Sequence, residues 1–138
     1  MWITCNGCFD GLHPGHLFLL GFVRGQCLSG DEVMVMINSD AYIRANKRVP
    51  NYTEEERSEM LIGTGVVREV RVFRDGTAAE MVREIKPRVH CIGVEYSSGC
   101  PEIDVCRELD IRVAFIPECG LWRTANLNGK TVYDMRMS

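Results

Sequence analysis

Short apolar runs alternate with longer amphipathic segments along the chain. The run Val33-Met34-Val35-Met36-Ile37 is continuous, which is typical of a strand covered on both faces. Strands are predicted at residues 3–6, 33–37, 70–73, 89–94 and 113–116. Helices are predicted at residues 14–28, from 39 or 40 to 47, 54–62, 78–86 and 101–109. This alternation predicts an α/β fold, a single-domain Rossmann-like, doubly wound, five-stranded parallel sheet.

Local signals mark where several of these helices begin and end. Pro14 and Pro101 each suit a first helical position, where the missing N–H is not needed. Thr53-Glu54-Glu55-Glu56 is a capping box. Thr77 is expected to cap the fourth helix, and Pro87 to terminate it. Ligands of such folds bind at the carboxyl ends of the strands, so the loops that follow them are candidate sites.

Composition narrows the class of protein and of partner. The chain has 138 residues, of which 46% are hydrophobic and 25% charged, and it lacks repeats, linkers and low-complexity tracts. We therefore expect one domain over residues 1–138. A net charge of −3 argues against nucleic acid or an anionic membrane as a partner. Neither a signal peptide nor a membrane span is recognisable, so a cytoplasmic location is expected.

The chain contains seven cysteines, an odd number at scattered spacings, which favours reduced thiols. Cys5-x-x-Cys8 has the spacing of half a zinc site or of a redox pair. No second pair stands at a matching spacing, and buried cysteine is the simpler interpretation. A metal or redox protein stays open as a third hypothesis. His90 lies within the fourth predicted strand and is interpreted as a core residue.

The stretch after the first predicted strand carries the strongest chemical signal. It reads Gly7-Cys8-Phe9-Asp10-Gly11-Leu12-His13-Pro14-Gly15-His16, a glycine-bearing turn leading into a helix. A helix N-terminus attracts phosphate through its unpaired N–H groups and its dipole. Gly15 leaves room for a phosphate between the imidazoles of His13 and His16, which can both donate hydrogen bonds to it.

This stretch, together with Asn6, resembles the signature of the H-x-G-H nucleotidyltransferases, the cytidylyltransferase-like family. Its Asn-Gly-Cys-Phe-Asp form is most similar to that of bacterial heptose 1-phosphate adenylyltransferases. The resemblance extends over about residues 3–124. It continues through Asn38-Ser39-Asp40, Arg57, Ile85-Lys86-Pro87, Gly93-x-Glu95-Tyr96 and Phe115-Ile116-Pro117.

The resemblance implies an enzyme in which a substrate phosphate attacks the α-phosphate of a nucleoside triphosphate and pyrophosphate leaves. Mg²⁺ would accompany the nucleotide, and the chain would form a homodimer. ATP with a heptose 1-phosphate-like acceptor is the favoured pair. CTP with glycerol 3-phosphate, or with another polyol phosphate, is the alternative.

The resemblance also implies residue roles. Catalytic contacts with the phosphates would come from His13, His16, Arg44 and Lys47, with Arg44 standing where a lysine is more typical. Nucleotide contacts would come from Gly7, Cys8, Phe9, Asp10, Gly15, Gly93, Glu95, Tyr96, Arg123 and Thr124. Asn38, Asp40 and Arg57 would face the acceptor, and no protein metal site is expected.

The C-terminal segment departs from the family pattern. A Gly-x-Ser-Thr-Thr motif usually caps a final phosphate-binding helix, but here residues 120–127 read Gly-Leu-Trp-Arg-Thr-Ala-Asn-Leu. Asn128-Gly129 indicates a turn, and residues 131–137 are expected to form a short strand or a tail. This leaves open a second class of function, a nucleotide-binding module with little or no turnover.

Overall fold

The computed structural model describes residues 1–118, 123–127 and 130–134. Its strands are β1 (Trp2–Gly7), β2 (Glu32–Asn38), β3 (Glu69–Phe73), β4 (Val89–Gly93), β5 (Arg112–Ile116), β6 (Arg123–Leu127) and β7 (Lys130–Asp134). Its α-helices are α1 (Pro14–Gly25), α2 (Asp40–Asn46), α3 (Glu54–Gly63), α4 (Ala79–Ile85) and α5 (Pro101–Glu108). A 3₁₀ turn spans Val94–Tyr96.

Strands β1 to β5 form one parallel sheet in the order β3-β2-β1-β4-β5. The chain first winds outward from β1 to β3 and then returns to add β4 and β5 on the other side of β1. The strand order therefore reverses between β1 and β4, and this switch point opens a crevice at the carboxyl edge. The predicted Rossmann-like, doubly wound, five-stranded parallel sheet is confirmed.

Alternate side chains of the central strands build two cores, one on each face of the sheet. In β2, Val33, Val35 and Ile37 pack into the core that contains residues of α1 and α3. Met34 and Met36 pack into the core beneath α4 and α5. All five are fully buried, and burying such a side chain contributes roughly 1.5–3 kcal/mol. The continuous apolar run thus reflects burial on both faces.

Several helix boundaries differ from those expected. Helix α1 ends at Gly25 instead of near residue 28, and the following turn is held by Asp31 Oδ2, which accepts from Leu28 N at 2.8 Å. Helix α4 begins at Ala79 with Ala78 at its N-cap, so Thr77 is not the N-cap residue as expected, although its Oγ1 accepts from Ala79 N at 3.4 Å. A tertiary contact explains the difference, because the carboxylate of Glu102 accepts from Ala78 N at 2.9 Å.

The C-terminal strands β6 and β7 pair antiparallel and form a two-stranded sheet separate from the five-stranded one. The short strand expected after residue 130 is therefore present. Residues 123–127 form a strand, whereas the family pattern places a helix cap there. The expected turn at residues 128–129 lies outside the described residues.

Candidate active site

A cavity of about 760 Å³ opens at the carboxyl edge of the sheet. This volume lies within the usual range of small-molecule sites. Its wall has two halves, one on each face of the sheet. The α4/α5 half includes Asn6, Thr77 and Glu102. The α1 half is formed by the lining residues of the stretch 7–16, which are Gly7, Cys8, Phe9, Asp10, Gly11, His13 and His16.

Gly7 and Phe9 shape the turn of the α1 half. Phe9 has a φ of +49°, in the left-handed region, and its ring folds back over Gly7. A Cβ on Gly7 would stand 2.9 Å from a ring carbon of Phe9, so a larger residue would displace the ring. The phenyl ring also lies beside His16, with ring centroids 5.2 Å apart. Gly7 and Phe9 together shape the floor under the histidines.

His13 and His16 form a capping box at the start of α1. His13 is the N-cap residue, and its Nδ1 accepts from Gly15 N at 3.1 Å. His16 Nδ1 accepts from His13 N at 3.3 Å, and the two ring centroids are 3.9 Å apart. A ring nitrogen that accepts from a backbone N–H carries no proton, so each neutral ring must carry its proton on Nε2. The capping geometry thus makes both imidazoles donors through Nε2–H.

The electrostatic setting keeps His16 neutral. Burial, and then the neighbouring His13, lower the pKa of His16 to about 4. At neutral pH its ring therefore remains a hydrogen-bond donor through Nε2 without a positive charge. Positive potential at this edge comes instead from the N-terminus of α1 and from the basic side chains Lys47 and Arg48, which both line the cavity.

Lys47 contacts the turn between β1 and α1 through Cys8, and we call this turn the phosphate turn because the sequence predicts phosphate binding there. Its Nζ lies 3.2 Å from Cys8 Sγ, which in turn donates to Asn38 Oδ1 at 3.3 Å. The expected catalytic residue Lys47 and the expected site residues Cys8 and Asn38 are thus in one contact chain on the cavity wall. Arg44 is exposed on α2 and is not among the described residues that line the cavity.

Asp10 lines the cavity while its carboxylate holds the loop that precedes α3. Oδ1 accepts from Tyr52 N and Oδ2 from Asn51 N, each at 2.9 Å, and Arg48 Nη2 lies 3.0 Å from Oδ2. Burial alone would raise the pKa of Asp10, but these backbone N–H groups and Arg48 together hold it below its usual range. The structure therefore places Asp10 as a clamp between the phosphate turn and this loop.

Arg57 has no exposed surface, which corrects the expectation that it faces the acceptor. Its Nη1 donates to Cys8 O at 2.9 Å and to Asn38 O at 2.8 Å, joining the ends of β1 and β2. Nη2 donates to Asp40 Oδ1 at 2.7 Å, and Nε donates to Tyr52 O at 3.2 Å. A guanidinium with all three nitrogens bound inside the protein positions the turn and cannot reach a ligand.

Asp40 belongs to the same buried network. Its Oδ2 accepts from Glu54 N at 3.1 Å, and its own N–H donates to Glu54 Oε1 at 3.0 Å, so α2 and α3 are tied at their N-termini. Burial acts to raise the pKa of Asp40, yet the Glu54 N–H and Arg57 lower it overall. Like Arg57, Asp40 is not among the described cavity-lining residues.

The loop after β4 supplies the outer wall. Gly93, Glu95 and Tyr96 all line the cavity, as expected from the sequence. A Cβ on Gly93 would stand 2.3 Å from a carboxylate oxygen of Glu95, so this glycine admits the acidic side chain. Tyr96 is 55% exposed at the rim. Arg123 and Thr124 lie on β6, and their side chains are outside the described part of the chain.

Sequence reasoning assigned no site role to several residues of the α4/α5 half and its surroundings. Asn6, Tyr42, Thr77, Cys100 and Glu102 all line the cavity. Tyr42 and Thr77 stand in segments that follow β2 and β3, and that position at strand ends was the available signal. Glu102 lies in the first turn of α5, where an acidic residue is expected merely to favour the helix. Its hydrogen bond with Ala78 N, just before α4, holds the carboxylate at the cavity edge.

The sequence model of the cytidylyltransferase-like family matches residues 4–118. That span contains the whole five-stranded sheet from Thr4 onward, both histidines and every described cavity-lining residue. The chain belongs to the cytidylyltransferase-like family of nucleotidyltransferases. This confirms the family and the enzyme class predicted from the H-x-G-H signature.

Curated relatives of this nucleotidyltransferase include much longer proteins named Bifunctional protein HldE. The protein of Rhodopseudomonas palustris (strain HaA2) is 38% identical over 94 residues, which cover 67% of this chain and 19% of that protein. The protein of Koribacter versatilis (strain Ellin345) is 38% identical over 98 residues, covering 69% of this chain and 19% of that protein. The chain spans about a fifth of the length of these relatives.

Solved structures support the same fold. The lipopolysaccharide core biosynthesis protein from Thermoplasma volcanium GSS1 is 25% identical, with a TM-score of 0.65 over 85% of this chain and 94% of that one. A protein of unknown function from Archaeoglobus fulgidus has a TM-score of 0.66 at 15% identity, covering 91% of this chain and 95% of that one. Small-molecule nucleotide and phosphorylated substrates fit this family. No helix in the described part of the chain has both the length and the apolar character needed to cross a membrane.

Proposed function

We propose that this cytidylyltransferase-like protein transfers the adenylyl group of ATP to a sugar phosphate such as heptose 1-phosphate, releasing pyrophosphate. The observation that carries the proposal is the capping box at the start of α1, where both imidazoles hold their protons on Nε2. A pure binding module would not need two such donors at one helix start. The likeness to proteins named HldE supports a sugar phosphate as the acceptor.

The proposed reaction is an in-line displacement. A phosphate oxygen of the acceptor forms a bond to the α-phosphorus of the nucleotide, the bond to the bridging oxygen breaks, and pyrophosphate leaves. Charge grows on the phosphoryl oxygens, and the Nε2–H groups of His13 and His16 donate to them. The N–H groups and dipole of α1 act at the same place. Lys47 supplies a positive charge next to the turn, and the more distant Arg44 adds to the potential.

Mg²⁺ fits this site as an ion carried by the triphosphate. Among the described residues no group of three or more His, Cys, Asp or Glu side chains could hold a metal, so the chain would rely on phosphate oxygens as ligands. Mg²⁺ usually binds in this way, through substrate phosphates with at most one or two carboxylates. When bound it would neutralise part of the triphosphate charge. Glu95, exposed on the cavity wall, is a candidate for a single carboxylate contact.

A weakly active nucleotide-binding module is the second candidate function, and one observation favours it. Residues 123–127 form strand β6, whereas the family motif at this position caps a phosphate-binding helix. Pyrophosphate release measured with ATP and with CTP, across heptose 1-phosphate, glycerol 3-phosphate and other polyol phosphates, separates the possibilities. Release with ATP and heptose 1-phosphate is the expected result. Release with CTP and glycerol 3-phosphate would replace the substrates, and binding of nucleotide without any release would support the module.

The proposal includes a cytoplasmic homodimer as the working form. Sedimentation of the purified protein tests the association state, because a monomer and a dimer of this chain differ twofold in mass. A purely monomeric protein that still releases pyrophosphate would contradict the homodimer and leave the chemistry intact.

A further inference from the structure

A buried chain of three polar side chains runs under the α4/α5 half of the cavity. Thr4 Oγ1 lies 2.7 Å from His90 Nδ1, and His90 Nε2 lies 3.1 Å from Asn6 Oδ1. Thr4 and His90 are fully buried and are register partners in β1 and β4, at the switch point of the sheet. Asn6 is half-buried and lines the cavity. The catalytic proposal above makes no use of this histidine.

The position of the single Thr4 hydroxyl proton decides the state of the ring. At 2.7 Å the hydroxyl can donate to His90 Nδ1, while its other acceptor, Val89 O, lies at 3.5 Å. If the ring instead carried its proton on Nδ1, the hydroxyl would have only that distant carbonyl in a buried place, which is costly. The short contact therefore favours a neutral ring protonated on Nε2. Burial supports neutrality, since it lowers the pKa of His90 to about 4.

The protonation of His90 in turn orients the amide of Asn6. Nε2–H needs an acceptor, so Asn6 Oδ1 faces the ring and the NH₂ group is turned away from it. Among the described residues, Asn6 Nδ2 has no hydrogen-bond partner. Asn6 and Thr4 lie on the same face of β1, the face covered by α4 and α5, because side chains two residues apart share a face. The NH₂ group is thus a free donor in the α4/α5 half.

Glu102 gives the same half of the cavity an acceptor. It is 8% exposed, lines the cavity, and is anchored by Ala78 N at 2.9 Å from Oε2. Hydroxyl groups both donate and accept, so a fixed amide donor and a carboxylate suit a hydroxyl-rich ligand. The α1 half, with its two imidazoles and a helix N-terminus, suits phosphate instead.

We infer that His90 is a positioning residue that fixes Asn6 as a hydrogen-bond donor to a hydroxyl of the acceptor's sugar in the α4/α5 half of the cavity. The inference rests on the proposed function for the identity of the acceptor. The orientation of Asn6 itself follows from the Thr4–His90–Asn6 contacts alone. His90 acts through Asn6 and has no exposed surface to touch substrate.

The first test reads the protonation of His90 directly. Long-range ¹H–¹⁵N correlation spectra of the purified protein distinguish a proton on Nε2 from one on Nδ1. A proton on Nε2 is expected, and a proton on Nδ1 would overturn the inference. This measurement needs neither substrate nor turnover, so it decides the orientation even if no nucleotidyl transfer is found. Lack of pyrophosphate release by the wild-type protein would count against the proposed function alone.

The second test separates positioning from a merely structural role. Asn6→Ala and His90→Met are each expected to raise the KM for heptose 1-phosphate about tenfold, with the KM for ATP changed less than about twofold. The double variant is expected to be no worse than Asn6→Ala, because both changes remove one interaction. His90→Gln, whose amide can donate at the Nε2 position, should restore most of the affinity. Additive losses, an equal rise in both KM values, or failure of the glutamine variant to rescue would refute the role.

Discussion

The two halves of the cavity differ in how the chain assembles them. In the α1 half, the turn, the helix start and both imidazoles come from residues 7–16, and the hydrogen bonds that orient the rings run within His13 to His16. In the α4/α5 half, Asn6 is oriented by His90, 84 residues away in sequence, and Ala78 N is held by Glu102, 24 residues away. The first half is local in sequence, whereas the second exists only once β4 and α5 are in place.

Arg57 marks where the local half depends on the rest of the fold. Its guanidinium holds the carbonyl of Cys8 in the turn, although it comes from α3. If the α1 half were self-sufficient, removing Arg57 would leave it intact.

We predict that Arg57→Met lowers the free energy of unfolding by about 3–5 kcal/mol, the range for breaking a buried ionic contact. The carbonyls of Cys8 and Asn38 lose their donor, and Asp40 loses its buried cation. Urea unfolding measures the change. Arg112→Met, at an exposed position of β5, is the matched control and should stay within about 0.5 kcal/mol. Equal stability of the two variants would mean that the turn needs no support from α3.

The pH dependence of stability tests the α4/α5 half of the cavity through His90. The folded-state pKa of His90, about 4, lies below its ordinary value of 6.5, so the unfolded chain binds more protons between these pH values. Stability is then fully present above pH 6.5 and is lost as the pH falls toward 4. We predict that His90→Gln removes up to about 3 kcal/mol of this pH-dependent loss. Urea midpoints measured across that window test it.

His16 titrates in the same direction, since its pKa is also lowered to about 4. The glutamine variant should therefore retain part of the slope. An unchanged slope would mean that His90 does not contribute to the pH dependence.

Removing one imidazole of the α1 half tests whether it performs the chemistry. We predict that His16→Ala lowers kcat at least about 10²-fold, as expected for the loss of a donor to the transition state. The melting temperature should change little by comparison. Leu17→Ala, the adjacent exposed residue on α1, is the control and should keep its kcat. A His16→Ala enzyme with wild-type kcat would remove this histidine from the mechanism.

The smallest expected effect concerns the contact between Lys47 and the turn. Cys8→Ala removes the sulfur that lies 3.2 Å from Lys47 Nζ. We predict a rise in the KM for ATP of about fivefold, equivalent to roughly 1 kcal/mol for one hydrogen bond. Cys8→Ser, which keeps a polar partner for both Lys47 and Asn38, should show a smaller rise. Equal effects of serine and alanine would argue against the hydrogen bond.

Sequence reasoning was reliable for the α1 half of the cavity and missed contacts between segments that are distant in sequence. The sheet could be predicted because each strand is a short apolar run, and residues 7–16 could be recognised because their chemistry lies in consecutive positions. Arg57 was assigned to the acceptor through the family resemblance, and nothing in its own helix, which begins Glu54-Glu55-Glu56, indicated that its side chain is buried. Its burial comes from three carbonyls and one carboxylate contributed by other segments. No local pattern encodes such a set.

Local sequence patterns were enough to predict the five-stranded parallel fold, the turn after β1 and the histidine pair of this nucleotidyltransferase. Periodicity, helix caps and a ten-residue motif are all short-range properties. The tertiary structure decided that Arg57 and Asp40 support the turn, that Asp10 clamps a loop, and that His90 orients Asn6. These roles depend on which polar atoms meet when distant strands and helices pack. Hydrogen-bond partners that are far apart in the sequence produce no periodic pattern of residues, so they could not be predicted from it.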